Sequence, residues 1–358
     1  MACQKSGKPF YYSPMTDIQF STHGAFGRIH LNRPGALNSL NLDMIRQIDK
    51  ALSEVEENTD LIGVIFTGEG KAFCAGGDVK AAYKAGLDFK NGDTKANEAL
   101  QFFEEEYALN KRIVHFPKDT IVLMDGITMG GGVGLAGPCK YRICTEKTVW
   151  AMPETTIGFF PDIGGAWYLA QAGGEIGLYL GLTALAARDP ADLLKFGFAT
   201  HFIPSNDLDL FLKKISETVD YTDFSDLMGE WCTQPVPQIG ALQDQIENIN
   251  AAFSKKSVSD IMQYLEKDNA EWSQEILQLL RQKSPISLLT AFAHIKKAGS
   301  ESLDETLLRD EKLAGLFMEG DDYYEGVRAL LIDKDKNPVW KPYDIEKGLP
   351  PEINALFL

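Results

Sequence analysis

The chain has 358 residues, 44% apolar and 24% charged, enough for a sizeable core in one large domain or two. Lys and Arg total 35 against 51 Asp and Glu, a formal net charge of −16. That balance excludes the basic footprint of a DNA- or RNA-binding surface, while a small anionic ligand held by a few local groups stays admissible. Five cysteines, Cys3, Cys74, Cys139, Cys144 and Cys232, are too scattered for a disulfide framework or a zinc site and point to a reducing compartment. No apolar run is long enough to span a bilayer. Residues 1–12 lack an apolar secretory core. The expectation is a soluble intracellular protein that binds neither nucleic acid nor membrane.

In chain order, residues 18–23 and 25–31 read as two strands of a hairpin around Gly24, followed by a turn at Asn32-Arg33-Pro34-Gly35. Asn41 caps a helix whose apolar positions Met44, Ile45, Ile48, Leu52 and Val55 fall on one face. Residues 64–67 form a buried strand. A loop at 71–78 leads into a polar stretch, and a helix runs from about 96 to 115. A second buried strand at 120–125 ends at Gly126. The run Gly130 to Gly134 opens a short helix that Pro138 stops, and strands follow at 141–145 and 148–152. This alternation predicts an α/β domain over residues 1–205. From 206 to 358 the signals are helical, at about 207–219, 241–252, 257–267, 271–282, 286–297 and 303–318, with a linker at 233–237. No internal repeat is found.

A serine-hydrolase elbow, a zincin helix and a Walker phosphate loop are all absent. The five histidines are isolated in sequence and read as structural. Gly132, Gly134 and Gly137 match the spacing of a dinucleotide fingerprint, with Glu154 17 residues beyond. Pro138 ends the helix that would hold the pyrophosphate, so this match is set aside. The glycines make better sense as exposed backbone N–H groups at a helix start, suited to a developing oxyanion. A second glycine turn, Cys74-Ala75-Gly76-Gly77-Asp78, offers another donor; both turns also read as ordinary tight turns. Glu154 and Asp162 lie among bulky apolar residues, which raises a carboxyl pKa and suits acid–base work. Asp162 reads equally as a helix N-cap over Gly164-Gly165, and Glu154 as a first-turn acid or a salt-bridge partner.

Lys71-Ala72-Phe73-Cys74-Ala75-Gly76-Gly77-Asp78 and Gly126-Ile127-Thr128-Met129-Gly130-Gly131-Gly132-Val133-Gly134 resemble the two oxyanion loops of the crotonase (enoyl-CoA hydratase/isomerase) superfamily. Residues 151–158, 160–165 and the late run Glu325-Gly326-Val327-Arg328-Ala329-Leu330-Leu331-Ile332-Asp333-Lys334-Asp335 are similar to its 3-hydroxyisobutyryl-CoA hydrolase branch, thioesterases of valine breakdown. The resemblance covers about 27–340 and is loosest over 206–300. It implies a superhelix of strand-strand-helix turns with a helical C-terminal region. It further implies an oxyanion hole from Gly77 and Gly131, catalytic acids Glu154 and Asp162, and a substrate-contacting Glu106. On residues alone, Glu106 reads as a solvated acid on the 96–115 helix. The resemblance places Lys71, Ala72, Phe73, Ala75, Gly77 and Asp78 along the CoA adenine. No metal or separate cofactor is implied, because CoA is part of the substrate.

Hydratases of the superfamily place a second catalytic Glu where this chain has Gly134, which favours thioester hydrolysis. The alternatives are a hydratase or isomerase on another acyl-CoA, and a non-catalytic subunit of a larger assembly. The resemblance leaves a homo-oligomer open. It implies the cytoplasm for a bacterial source and the mitochondrial matrix for a eukaryotic one.

Overall fold

The structure, a computed structural model, describes residues 16–91, 98–231 and 239–358. The 233–237 linker, the first twelve residues, the start of the 96–115 helix, Cys3 and Cys232 lie outside the described residues.

Strands β1 (Ile18–His23) and β2 (Phe26–Leu31) pair antiparallel across the two-residue turn Gly24-Ala25. Helix α1 (Leu42–Glu57) starts where the Asn41 side chain accepts the Met44 N–H at 2.8 Å, and it buries the expected apolar face. Next come β3 (Gly63–Gly68), β4 (Ala72–Cys74), α2 (Val79–Lys90) and α3 (Glu98–Val114). The following turn holds β5 (Asp119–Met124), β6 (Ile127–Met129) and α4 (Gly131–Ala136). A third holds β7 (Tyr141–Cys144), β8 (Val149–Ala151), α5 (Gly165–Ala170), α6 (Ile176–Thr183) and α7 (Pro190–Lys195), before β9 (His201–Phe202).

The strands sort into two sheets. One has the order β1-β2-β3-β5-β7-β9; the other is the parallel trio β4-β6-β8. From β3 onward each turn of chain gives one strand to the large sheet and one to the small sheet before a helix, whereas β1 and β2 both join the large sheet. This is a superhelix of strand-strand-helix turns, as the sequence resemblance implies.

Two expectations are corrected. The 71–78 loop contains β4, and β6 follows β5 almost at once. Both are three-residue strands, too short for alternation to stand out in sequence, and β4 is wholly buried. The polar stretch after residue 78 is α2, whose Ala82 is buried.

Beyond β9, α8 (Leu208–Glu217) and α9 (Tyr221–Trp231) cover the far face of the large sheet. There Phe211, Ile215, Phe224 and Trp231 meet Phe26, Ile65, Ile121 and Ile143. The helices α10 (Ala241–Asp244), α11 (Ile246–Phe253), α12 (Val258–Lys267), α13 (Glu271–Arg281), α14 (Pro285–Ala298), α15 (Leu303–Glu319) and α16 (Asp322–Val327) complete the helical half. The main apolar core runs unbroken from Ile18 to Ile353. Residue 205 therefore marks a change of secondary structure within a shared core. Among the described residues, no helix is long and apolar enough to cross a membrane.

Candidate active site

The small parallel sheet builds the site. The chain leaving β4 presents Ala75, Gly76 and Gly77; leaving β6 it presents Gly130 and Gly131; leaving β8 it presents Pro153 and Glu154. All line one cavity of about 240 Å³. Carboxyl ends of parallel strands open onto a crevice that side chains of the sheet do not fill, the usual ligand position in parallel sheets. Glu106 and the ring of Phe103 reach the cavity from α3, and Asp162 closes it beyond a 3₁₀ turn at Glu154–Ile157.

Gly76 and Gly130 take left-handed backbone, with φ of 118° and 48°, which glycine tolerates without strain. The two loops pack against each other: a Cβ on Gly131 would lie 3.1 Å from the Gly77 N. Among the described residues, no acceptor takes the N–H of Gly77 or Gly131. Both donors are thus free beside the cavity, as an oxyanion hole requires.

Three carboxyls share this space. Glu106 is 3% exposed, Glu154 7% and Asp162 6%. Glu106 Oε1 would stand 2.5 Å from a Cβ on Gly131, and Glu154 Oε1 3.0 Å from one on Gly130. Glu106 Oε1 and Glu154 Oε2 have no hydrogen-bond partner among the described residues. Asp162 Oδ2 accepts from the Tyr107 hydroxyl at 2.7 Å. Burial, then the Asp162 charge, hold Glu106 well above the usual carboxylate range. Burial, then Asp162 and Glu106, do the same to Glu154. Burial and the Asp310 charge push Asp162 up to about 7, against the opposing Tyr107 bond. Like charges this close resist ionising together. Among the described residues, no group of three His, Cys, Asp or Glu is arranged to hold a metal ion.

These positions settle the open readings of the residues. Glu106 is buried, not a solvated acid. Asp162 does not cap α5, whose N-cap is Gly164. Glu154 is a first-turn acid without an ion pair among the described residues. Of the residues expected along the adenine, Ala75 and Gly77 line the cavity and Lys71 is exposed. Asp78 is ion-paired with Arg33 at 2.9 Å. Ala72 and Phe73 are fully buried, backbone included, and neither lines the cavity, so the expectation that they contact the adenine is corrected: as part of the buried strand β4 they are out of a ligand's reach. The fingerprint glycines are spaced for packing: a Cβ on Gly132 would meet the Cys74 carbonyl at 2.1 Å, and one on Gly137 the Tyr168 ring at 2.4 Å. No pyrophosphate fits there. A Cβ on Gly134 would strike the Asn110 amide and Ile163, both at 2.9 Å. Sequence reasoning missed Tyr107, Asp310 and Tyr323, since single side chains far apart in the chain leave no local pattern.

A family model described as enoyl-CoA hydratase/isomerase matches residues 26–357. The chain belongs to this family. It is 42% identical over 342 residues to the mitochondrial 3-hydroxyisobutyryl-CoA hydrolase of Xenopus laevis, covering 93% of this chain and 86% of that protein. It is 35% identical to the protein of the same name from Homo sapiens, over 95% of this chain and 88% of the other. Among solved structures, a carnitinyl-CoA dehydratase from Mycobacterium thermoresistibile superposes with a TM-score of 0.86 at 32% identity, covering 96% of both chains. An enoyl-CoA hydratase from Rhodobacter sphaeroides 2.4.1 gives 0.83 at 34% identity, over 96% of this chain and 97% of that one.

Proposed function

We propose that this protein is a thioesterase that hydrolyses 3-hydroxyisobutyryl-CoA to 3-hydroxyisobutyrate and CoA, a step of valine catabolism. The observation that carries the reading is the pairing of free Gly77 and Gly131 N–H groups with buried Glu154 and Asp162, while Gly134 stands where hydratases of the superfamily place their second catalytic Glu. Water addition across a double bond needs two cooperating carboxylates about the alkene; thioester hydrolysis needs an oxyanion hole, a group that attacks and a group that moves protons. The relatives of that name support the substrate, and their designation as mitochondrial supports the mitochondrial matrix over the cytoplasm.

In this mechanism the glycine N–H pair polarises the thioester carbonyl. Glu154 in its ionised form attacks the acyl carbon and the C–S bond breaks, leaving a mixed anhydride and a CoA thiolate. Neutral Asp162 protonates the departing thiolate. The Asp162 carboxylate so formed then takes a proton from the water whose oxygen adds to the acyl carbon of the anhydride, which releases the hydroxy acid and restores ionised Glu154 and neutral Asp162. An acid near pH 7 serves both proton transfers. Glu106 receives the substrate hydroxyl at its unpartnered oxygen. No metal or separate cofactor takes part in these steps.

A free-thiol assay across a panel of acyl-CoAs tests the proposal. Thiol release is expected from 3-hydroxyisobutyryl-CoA, with isobutyryl-CoA poorer by about 10⁴ in kcat/KM, because a site built to bond a hydroxyl is left unpaired by the analogue. Hydration of an enoyl-CoA without thiol release would overturn it.

A further inference from the structure

Asp162 opens a turn whose next two residues, Ile163 and Gly164, both take left-handed backbone, with φ of 51° and 75°. For a β-branched residue that conformation is an outlier, and it persists only where the surroundings enforce it. Two features enforce it. The Gly165 N–H bonds the Asp162 carbonyl at 2.6 Å. The Gly164 N–H donates to Asp310 Oδ2 at 2.8 Å, across 146 residues of sequence.

Asp310 lies on α15 and is fully buried. Its other oxygen, Oδ1, pairs with His294 Nε2 on α14 at 2.5 Å, and neither side chain is exposed. The His294 ring packs edge-on to Phe160, with centroids 5.7 Å apart, two residues before Asp162. His294 Nδ1 has no partner among the described residues. A polar pair kept in an apolar core at this depth is costly unless it does something.

We propose that His294 and Asp310 are a positioning dyad for Asp162: Asp310 holds the left-handed turn through Gly164 and sets the charge behind the acid, and His294 fixes the orientation of Asp310. Neither touches the cavity. The titratable groups that bear on Asp162 are Glu106 and Tyr107 from α3, Glu154, Tyr323 from α16, and Asp310 with His294 behind it. Asp310 is the one whose charge can be removed without altering the cavity wall.

The inference rests on the thioesterase reading for its role in turnover. Asp310→Asn keeps an acceptor for the Gly164 N–H and removes the negative charge; His294 accommodates the amide by exchanging its ring proton to Nδ1. Loss of a like charge favours ionised Asp162. The expected result is that the pH-rate limb reporting Asp162 moves about one unit lower, with KM little changed. Infrared titration of the apo protein reads the same shift without turnover, in the carboxyl band lost in Asp162→Asn. His294→Leu is expected to lower kcat about tenfold or more at unchanged KM, and His294→Gln, which restores an N–H donor to Asp310, to recover part of it. A folded Asp310→Asn with an unmoved carboxyl titration overturns the dyad whatever the substrate. If Asp310→Asn does not fold, equal kcat for His294→Leu and wild type does so. A dyad that behaves as expected in the infrared while no acyl-CoA releases thiol overturns the thioesterase reading alone.

Discussion

Replacing Gly131 by Ala separates an oxyanion hole from a mere tight turn. Gly131 has ordinary helical backbone, unlike Gly130, whose φ is 48°, so alanine is free of backbone strain there. The cost is local. The new methyl would sit 2.5 Å from Glu106 Oε1 and 3.1 Å from the Gly77 N, inside the cleft between the two donors. The Glu106 carboxyl must retreat, and a thioester oxygen no longer reaches both N–H groups. Loss of one such donor costs about 10²–10³ in kcat, or about 3–4 kcal/mol of barrier. Alanine's helix propensity exceeds glycine's by up to about 1 kcal/mol, which offsets part of the crowding, so the melting temperature should change little. Steady-state kinetics with thermal unfolding and CoA binding by calorimetry form the assay. A folded Gly131→Ala protein with kcat within about threefold of wild type, less than 1 kcal/mol of barrier, would refute the assignment.

Glu154→Gln keeps the shape of the side chain but removes its attacking oxygen, and kcat should fall by about 10²–10⁴, measured by thiol release with the fold checked by circular dichroism. Asp162→Asn should also change stability with pH. Burial and the Asp310 charge push Asp162 in the folded chain up to about 7, from an ordinary 3.8, so the native state binds the extra proton and its stability falls as pH rises between these values. The advantage of Asp162→Asn over wild type should therefore grow from about pH 4 to about pH 7, to the order of a few kcal/mol. Paired urea titrations across that range check it, and a constant difference would contradict the raised pKa.

Much of the large sheet was legible because β3 and β5 are continuous apolar runs ended by glycine and β1 and β2 flank Gly24, and α1 because one Asn cap and five spaced apolar residues mark it. Of the small sheet only β8 was, as the strand at 148–152. Ala72, Phe73 and Cys74 make a strand only because β6 lies alongside, a fact held in tertiary pairing and invisible to local periodicity. Glu154 and Asp162 drew attention through their apolar flanks, and the structure shows the burial those flanks imply. Glu106 had no such local mark: Glu104-Glu105-Glu106 reads as three equivalent acids, and helical phase alone decides that Glu105 meets Arg46 at the surface while Glu106 turns inward. Tyr107 bonds Asp162 from 55 residues away, and Asp310 reaches Gly164 across 146; contacts at such distances need the fold.

The late run Glu325 to Asp335 shows why the helical half belongs to the site. A Cβ on Gly326 would lie 2.3 Å from the Ile157 backbone, so glycine lets α16 press directly on the 3₁₀ turn that starts with Glu154. Gly158 makes the reciprocal approach, its Cβ position 2.3 Å from the Asp322 carbonyl. Just beyond, Arg328 bonds both oxygens of Glu325 and reaches Asp333 and Asp335 at 2.7 Å each. This ionic clasp spans the π-helical turn Arg328–Ile332, which carries Leu330 and Leu331 to the cavity. Exposed ion pairs add little stability, yet four charges converging on one turn fix its geometry, and that geometry supplies an apolar wall where a flexible acyl-CoA arm must pass. The carboxyl ends of three short strands set the reacting groups. The chain more than 150 residues later, at Tyr323, Leu330 and Leu331, closes the cavity around them, which explains why so acid-rich a site is buried.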